Sequence, residues 1–222
     1  MTTPLDKIRA EIDALDADLR ARLLRRAELV AQISAAKTQS GTQGAPLRPV
    51  REMQQMRALR AWRDAEAPML SDVGLLAMWR EIIGMAVAQQ GGITIAASGP
   101  AMPAARAHFG ASLAYENYTG GLGDLAENGR SIAVLSLAEA VAPPAGVAVF
   151  ARLPLIGAPT ALCYGAVAQE DIDDEAVALV HRDAPLQGDR LLYEGADYAL
   201  VETIAAGSDA VWGRYLTLGE VS

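Results

Sequence analysis

Two basic residues interrupt the apolar stripe of a long predicted helix near the N-terminus. Arg26 lies three residues after Leu23 and four before Val30. Lys37 extends the same face, four residues after Ile33. Both could lie at the rim of a helical bundle, with their alkyl stems covering apolar surface. Alternatively, both are buried cations that bind an anionic ligand. Burying a charge costs free energy, so a buried cation indicates a functional role.

Arg9 adds a geometric argument about assembly. It lies 17 residues before Arg26, about 25 Å along one helix, so the two side chains cannot bind one small ligand within a single chain. If two copies of the helix ran antiparallel, Arg9 of one copy could approach Arg26 of the other. A helix of this length also needs a partner to bury its apolar stripe.

Other candidate sites are weaker. Cys163 and His181 could form a nucleophile–base pair, but the apolar run around Cys163 favours a buried, inert thiol. The Gly-rich run at 120–123 is typical of a turn rather than a phosphate-binding loop. The acidic run at 170–175 is typical of a solvated loop or helix start. Two histidines and one cysteine give no metal-ligand spacing.

Proline and glycine positions predict three helices of unequal length in the first 90 residues. Neither residue type occurs between Leu5 and Ser40, and the apolar positions there recur every three or four residues: Leu5, Ile8, Ile12, Leu15, Leu19, Leu23, Val30 and Ile33. Residues 38–47 form a predicted loop. A second helix is predicted to start at Pro49 and to continue over 51–65. Ser71 is the predicted N-cap of a third helix, which ends near Gln90.

The pattern changes to short β-type runs after residue 92. Five segments rich in Val, Ile and Ala are predicted strands: 93–97, 131–137, 146–153, 160–167 and 176–182. Helical pieces are predicted at 103–109 and 121–128. The second half is therefore expected to have an α/β or α+β fold.

Composition excludes several classes of protein. The chain has 222 residues, of which 51% are hydrophobic, and a single cysteine, so disordered chains and disulfide scaffolds are excluded. It has no apolar run long enough to span a membrane. Residues 1–90 hold 13 Lys and Arg against 11 Asp and Glu, whereas residues 91–222 hold 6 against 16. The acidic second half disfavours nucleic acid and anionic membranes as partners. The charged N-terminus is unlike a signal peptide, and a cytoplasmic location is expected.

Three runs within residues 5–90 form a recognisable pattern: IRAEIDALDADLRARLLRRAELVAQISAAK, RPVREMQQMR and WREIIGMAVAQQ, in that order. With these runs, residues 5–90 resemble the all-helical class of chorismate mutases. The Arg-Arg-Lys spacing in the first run is the most specific part of this resemblance. The family implies an all-α, three-helix domain that forms an intertwined homodimer and converts chorismate to prephenate without a metal or cofactor. We therefore expect a mutase-like domain at 1–91 and an α/β domain of unknown role at 92–222.

The resemblance also implies roles for individual residues. Arg26 corresponds to the arginine that binds a substrate carboxylate within its own subunit, and Arg9 to the arginine from the partner subunit. Lys37 corresponds to the lysine that hydrogen-bonds the breaking ether oxygen. Glu52 resembles the acidic residue near the substrate hydroxyl. Gln90 resembles the C-terminal Gln or Glu that also reaches the ether oxygen.

Three features depart from the family. Many members carry an Arg-Glu pair one helical turn after the Glu52 position, and this chain has Gln55 and Met56. Arg51 or Arg57 could supply the missing charge, with Arg51 and Gln55 kept as candidate substrate-binding residues. Family members commonly carry a serine one helical turn before the terminal Gln, and this chain has Ala86 there. The loop at 38–47 is longer than usual.

The residue types fit a Claisen rearrangement. The substrate is a dianion that must fold into a compact conformer, which two arginines can enforce by positioning its carboxylates. Negative charge develops on the ether oxygen as its bond breaks, and a lysine and an amide donor stabilise it there. Because Gln90 is neutral, activity is expected to be flat across neutral pH.

The second half shows a fainter resemblance to prephenate dehydratase domains. Those domains open with a strand, a Gly-Pro turn and a helix that ends in His-Phe-Gly. Residues 93–110 show the same order of features. The characteristic motifs that follow in those domains are absent, so a remnant without dehydratase activity is expected. Two alternatives to an active mutase stay open. One is a mutase-like protein that only binds or regulates in the same pathway, and the other is separate chemistry in the C-terminal half, for which no residue set is found.

Overall fold

The computed structural model describes residues 3–40, 46–128, 131–166, 176–183, 185–195, 198–204 and 210–218. The chain divides into two compact units, Met1–Gln43 and Gly44–Ser222. The acidic run at 170–175 and the middle of the predicted loop at 38–47 lie outside the described residues. No described helix has the length and apolar character needed to cross a membrane.

The first unit is a single helix, α1 (Pro4–Gln39). It begins with a capping box, in which the Thr3 hydroxyl accepts from the Asp6 amide while the Asp6 carboxylate accepts from the Thr3 amide. Its 36 residues form one uninterrupted element, as the absence of Pro and Gly predicts. Most of its apolar stripe faces solvent, with exposed fractions between 41% and 63%: Leu5, Ile8, Ile12, Leu15, Leu19, Leu23 and Ile33.

The second unit opens with two helices, α2 (Pro49–Glu66) and α3 (Asp72–Gln89). Pro49 occupies the first turn of α2, where its missing amide hydrogen costs no helical hydrogen bond. Ser71 caps α3 by accepting from the Gly74 amide. The three predicted helices are thus confirmed, each within about two residues of its predicted ends.

In the described residues beyond α3, nine strands and two further α-helices follow. A five-stranded sheet has the order β2-β1-β3-β5-β4, with β1 (Thr94–Ala97) parallel to both β2 (Ala114–Asn117) and β3 (Ser131–Ser136). Helices α4 (Met102–Phe109) and α5 (Gly123–Asn128) connect these parallel strands. The antiparallel strands are β4 (Ala148–Leu153) and β5 (Ala161–Gly165).

A second, antiparallel sheet has the order β7-β8-β6-β9. Its strands are β6 (Val177–Arg182), β7 (Arg190–Glu194), β8 (Ala199–Thr203) and β9 (Ala210–Tyr215). All five predicted strands are present as β1, β3, β4, β5 and β6. The second half is thus an α/β region with two sheets, and β2, β7, β8 and β9 were not predicted.

One hydrophobic core joins α2 and α3 to the first sheet. Met56 of α2 and Ile83 of α3 belong to the same buried cluster as Ile95, Phe109 and Leu153 of the α/β region. The C-terminal segment reinforces this packing, because Arg57 and Arg60 of α2 donate to the carbonyl oxygens of Thr217 and Leu218. The predicted domain boundary between residues 91 and 92 stays a prediction.

Candidate active site

The three candidate cations of α1 differ in their exposure. Arg9 is exposed and lies 4.0 Å from the Asp6 carboxylate one turn away. Arg26 is half-buried, and this burial lowers the pKa of its guanidinium, which nevertheless stays charged at neutral pH. Lys37, also half-buried, lies 11 residues after Arg26, close to three full helical turns. Arg26 and Lys37 therefore share one face of α1, about 16 Å apart along its axis.

Helix α2 separates its candidate residues onto two faces. Arg51 and Gln55 are four residues apart and both exposed. Glu52 and Met56, also four residues apart, are both buried. The structure thus places Glu52 away from the face that carries Arg51 and Gln55. Arg57, the alternative source of charge, has its Nε atom bonded to the Thr217 carbonyl oxygen at 2.7 Å.

Met56 explains one departure from the mutase pattern. Its side chain is fully buried in the core cluster that α2 and α3 share with the α/β region. A glutamate at this position would place an unpaired carboxylate in that core, at a cost of several kcal/mol. A methionine fits here because its flexible apolar side chain fills irregular core space.

Gln90 lies at the end of α3 and is half-buried. Its Nε2 atom donates to the Ala86 carbonyl oxygen at 3.1 Å, one turn earlier in the chain. An amide nitrogen carries two hydrogens, so a second donor position is left for a ligand. Gly91 and Gly92, both with positive φ, end the helix directly after it.

Glu52 takes part in a buried polar network that the sequence did not predict. Its Oε2 atom accepts from Nη1 of Arg80 at 3.0 Å, and its Oε1 atom accepts from the Arg48 amide at 3.3 Å. Arg80 is itself buried and donates through Nε to the His108 carbonyl oxygen at 2.6 Å. The network links α2, α3 and α4.

His108 is a neutral member of this network. Burial, together with the positive charge of Arg80, holds the pKa of His108 well below its usual 6.5. Nε2 of the neutral ring can accept from Nη2 of Arg80, which lies 2.5 Å away. Nδ1 then carries the hydrogen, and this buried atom has no hydrogen-bond partner among the described residues.

The sequence contained a pattern that could have identified Arg80 as a buried charge. Arg80 lies four residues after Leu76 and three before Ile83, both buried in α3. Arg26 interrupts the stripe of α1 with the reverse spacing, three residues after Leu23 and four before Val30. His108 had no comparable signal, since its burial depends on the packing of α4 against α3.

The predicted alternatives in the second half do not form a site. Burial raises the pKa of the Cys163 thiol, which is fully buried in β5. His181 stacks between Tyr198 and Trp212 in the other sheet, at ring-centroid distances of 5.0 and 5.7 Å. The Gly-rich run at 120–123 forms the bend that leads into α5. Over the described part of the chain, no group of three or more His, Cys, Asp or Glu side chains could hold a metal ion.

Comparison with known families identifies the helical part of the chain. Residues 8–91 match the family model of chorismate mutase type II. No curated protein and no solved structure matches the chain. The match covers α1, α2 and α3 and ends just before β1, so it excludes the α/β region. The resemblance of residues 5–90 to the chorismate mutase family is thereby confirmed, and we refer to α1, α2 and α3 as the mutase-like helices.

Proposed function

We propose that this protein is a chorismate mutase, an isomerase that converts chorismate to prephenate in phenylalanine and tyrosine biosynthesis. The observation that carries the proposal is the set of cations on α1 within the family match. Arg26 and Lys37 share a face of one continuous helix, and the match to type II chorismate mutases covers both. Paired cations on one helix face suit a dicarboxylate substrate.

Each cation has a separate task in the proposed reaction. Arg26 binds one substrate carboxylate, and its partial burial strengthens that charge-assisted bond by excluding water. Lys37 donates to the ether oxygen, on which negative charge develops as the bond breaks. Gln90 supplies a second donor to the same oxygen through the amide hydrogen not bonded to Ala86. The chemistry needs no nucleophile and no cofactor.

Arg9 completes the site from a second subunit in this proposal. It lies about 25 Å from Arg26 along α1, too far to bind the same small molecule. The exposed apolar stripe of α1 supports a partner helix, because removing the exposed half of these large aliphatic side chains from water favours association. An antiparallel pair of α1 helices in a homodimer places Arg9 of each copy near Arg26 of the other.

The remaining candidates on α2 have supporting roles. Arg51 and Gln55, both exposed on α2, are proposed as further substrate-binding residues. Glu52 binds the substrate hydroxyl. Each of its carboxylate oxygens already accepts one hydrogen bond, and each can accept a second one. The resemblance of residues 93–110 to a dehydratase domain stays a proposal about ancestry, and we assign no dehydratase activity to the α/β region.

The competing function is a mutase-like protein that binds an acid of the same pathway without converting it. The replacement of the family's Arg-Glu pair by Gln55 and Met56 favours this alternative. Chorismate added to the purified protein separates the two. Loss of chorismate absorbance at a rate proportional to protein concentration supports the mutase. Saturable binding by calorimetry, with chorismate recovered unchanged, supports the alternative.

A further inference from the structure

The buried carboxylate of Glu52 pairs with the guanidinium of Arg80. Glu52 is 8% exposed, and a carboxylate at that depth is costly to bury unless it is paired. Arg80 supplies this pairing through Nη1, 3.0 Å from Oε2. The Arg48 amide donates to the other oxygen at the start of α2. Arg80 therefore helps to fix the orientation of the Glu52 carboxylate.

Arg80 is in turn held by a residue of the α/β region. Its Nε atom donates to the His108 carbonyl oxygen at 2.6 Å, and its Nη2 atom lies 2.5 Å from Nε2 of the neutral His108 ring. With the Nη1 contact to Glu52, all three nitrogens of the planar Arg80 guanidinium have hydrogen-bond partners. These contacts fix both the position and the plane of the guanidinium. A lysine could match the charge but not this geometry.

The contact between α3 and α4 keeps His108 in place. Gly84 of α3 lies against the carbonyl group of Phe109, where an added Cβ atom would overlap the oxygen. Helix α4 therefore packs against α3 one turn from Arg80. His108 lies outside the family match, which ends at residue 91, so the support for Glu52 extends beyond the mutase-like helices.

We propose that Arg80 is a positioning residue for Glu52 in the mutase reaction and that His108 of the α/β region anchors it. The inference rests on the proposed function. It means that the α/β region forms part of the support of the mutase active site. Arg80 holds the Glu52 carboxylate in place, so that it accepts the hydrogen bond from the substrate hydroxyl.

Arg80→Lys and Arg80→Met test this role by steady-state kinetics. Arg80→Lys should lower kcat/KM by roughly 10- to 100-fold, as expected when a site group is misplaced by about 1 Å. In Arg80→Met the Glu52 carboxylate loses this guanidinium altogether, so kcat/KM should fall further than in Arg80→Lys, mainly through kcat. A purely structural role would lower the melting temperature and leave kcat of the folded variant unchanged.

The double variant Glu52→Gln/Arg80→Met distinguishes positioning from folding and covers the case in which Arg80→Met does not fold. It removes both charges, so the buried pair becomes neutral and stability should recover relative to Arg80→Met. Activity should stay at least about tenfold low, because the carboxylate is missing. Recovery of full activity together with stability would overturn the proposal.

Arg152→Lys is the matched control, since Arg152 forms another buried arginine–glutamate pair among the described residues, with Glu202 at 2.6 Å. It should lower the melting temperature and leave kcat and kcat/KM unchanged. If the wild type turns over chorismate while Arg80→Lys keeps kcat/KM within about twofold, the inference alone fails. If the wild type shows no turnover, the proposed function fails and the inference falls with it.

Discussion

Gly84 of α3 lies directly against the backbone carbonyl of Phe109 in α4, with no room between them for a side chain. This contact brings the last of the mutase-like helices into the core of the α/β region. Met56 of α2 is fully buried in the same core. The appended region is therefore packed as an integral part of the unit that holds α2 and α3.

The Gly84 contact gives a prediction about stability. Gly84→Ala should destabilise the protein by about 1–3 kcal/mol, because the new methyl group forces α3 and α4 apart. Gly74→Ala is the control in the same helix, where a Cβ atom would lie 3.4 Å from Cβ of Ser71, an ordinary contact. It should be neutral or stabilising by up to about 1 kcal/mol. Urea unfolding of both variants measures the difference, and equal stabilities would refute the close packing.

A second prediction concerns charge placement on α1. Lys37→Ala should lower kcat/KM for chorismate by about two to three powers of ten, in line with the loss of one transition-state donor. Lys7→Ala should have little effect, because Lys7 is exposed and lies off the apolar stripe. Steady-state kinetics on the two variants provides the comparison. Equal losses would remove the assignment of Lys37.

Subunit mixing tests whether Arg9 and Arg26 serve one pocket from different chains. Arg9→Ala and Arg26→Ala should each be inactive alone. In a mixed dimer one pocket carries both defects and the other regains both arginines, so activity should return to one pocket of each mixed dimer. Exchange is expected to need mild denaturant, because entwined helices must partly unfold to separate.

The controls for this experiment are each variant taken through the same treatment alone and mass labelling that demonstrates exchange. Exchange without any return of activity would show that Arg9 does not cross the interface or that one arginine lies outside the site. A monomer by light scattering at micromolar concentration would contradict the dimer itself.

The buried His108 predicts how stability depends on pH. Because the pKa of folded His108 lies well below 6.5, the unfolded chain binds one more proton below that pH. Stability should be unaffected by this group above about pH 6.5 and should fall by up to about 1.4 kcal/mol per unit as pH drops below it. Denaturant unfolding between pH 7.5 and 5.5 (about the range in which only histidines titrate) should show this slope.

The second histidine serves as the control for that slope. His181→Gln should keep the pH dependence, and His108→Gln should lose it whatever its absolute stability. A slope that persists in His108→Gln would assign the proton to another group.

Local patterns in the sequence predicted much of this structure. Periodicity and breakers predicted α1, α2 and α3 because each helix has a clear stripe and a proline or serine at its start. They also predicted the five strands richest in Val, Ile and Ala. The exposed β2 and the partly exposed β7 carry no such run. Strands β8 and β9 hold short apolar stretches that the sequence analysis did not single out. The pairing of these four strands is set by long-range contacts.

A charge that interrupts an apolar stripe was the sequence signal for the candidate cations. That signal selected Arg26 and Lys37, whose place in a site stays a prediction, and it was also present for the buried Arg80. The burial of Met56 and the pairing of Glu52 could not be predicted, because both depend on how α4 and the first sheet pack against α2 and α3. Such packing joins residues far apart in sequence and leaves no local pattern.

The most direct measurement is product identification after incubation of chorismate with a catalytic amount of the purified protein, followed by proton NMR. Prephenate should accumulate at a rate proportional to protein concentration, and Lys37→Ala should slow this rate. Phenylpyruvate should form no faster than it does from prephenate in the absence of protein. Chorismate that decays no faster than in a protein-free control would contradict the central claim.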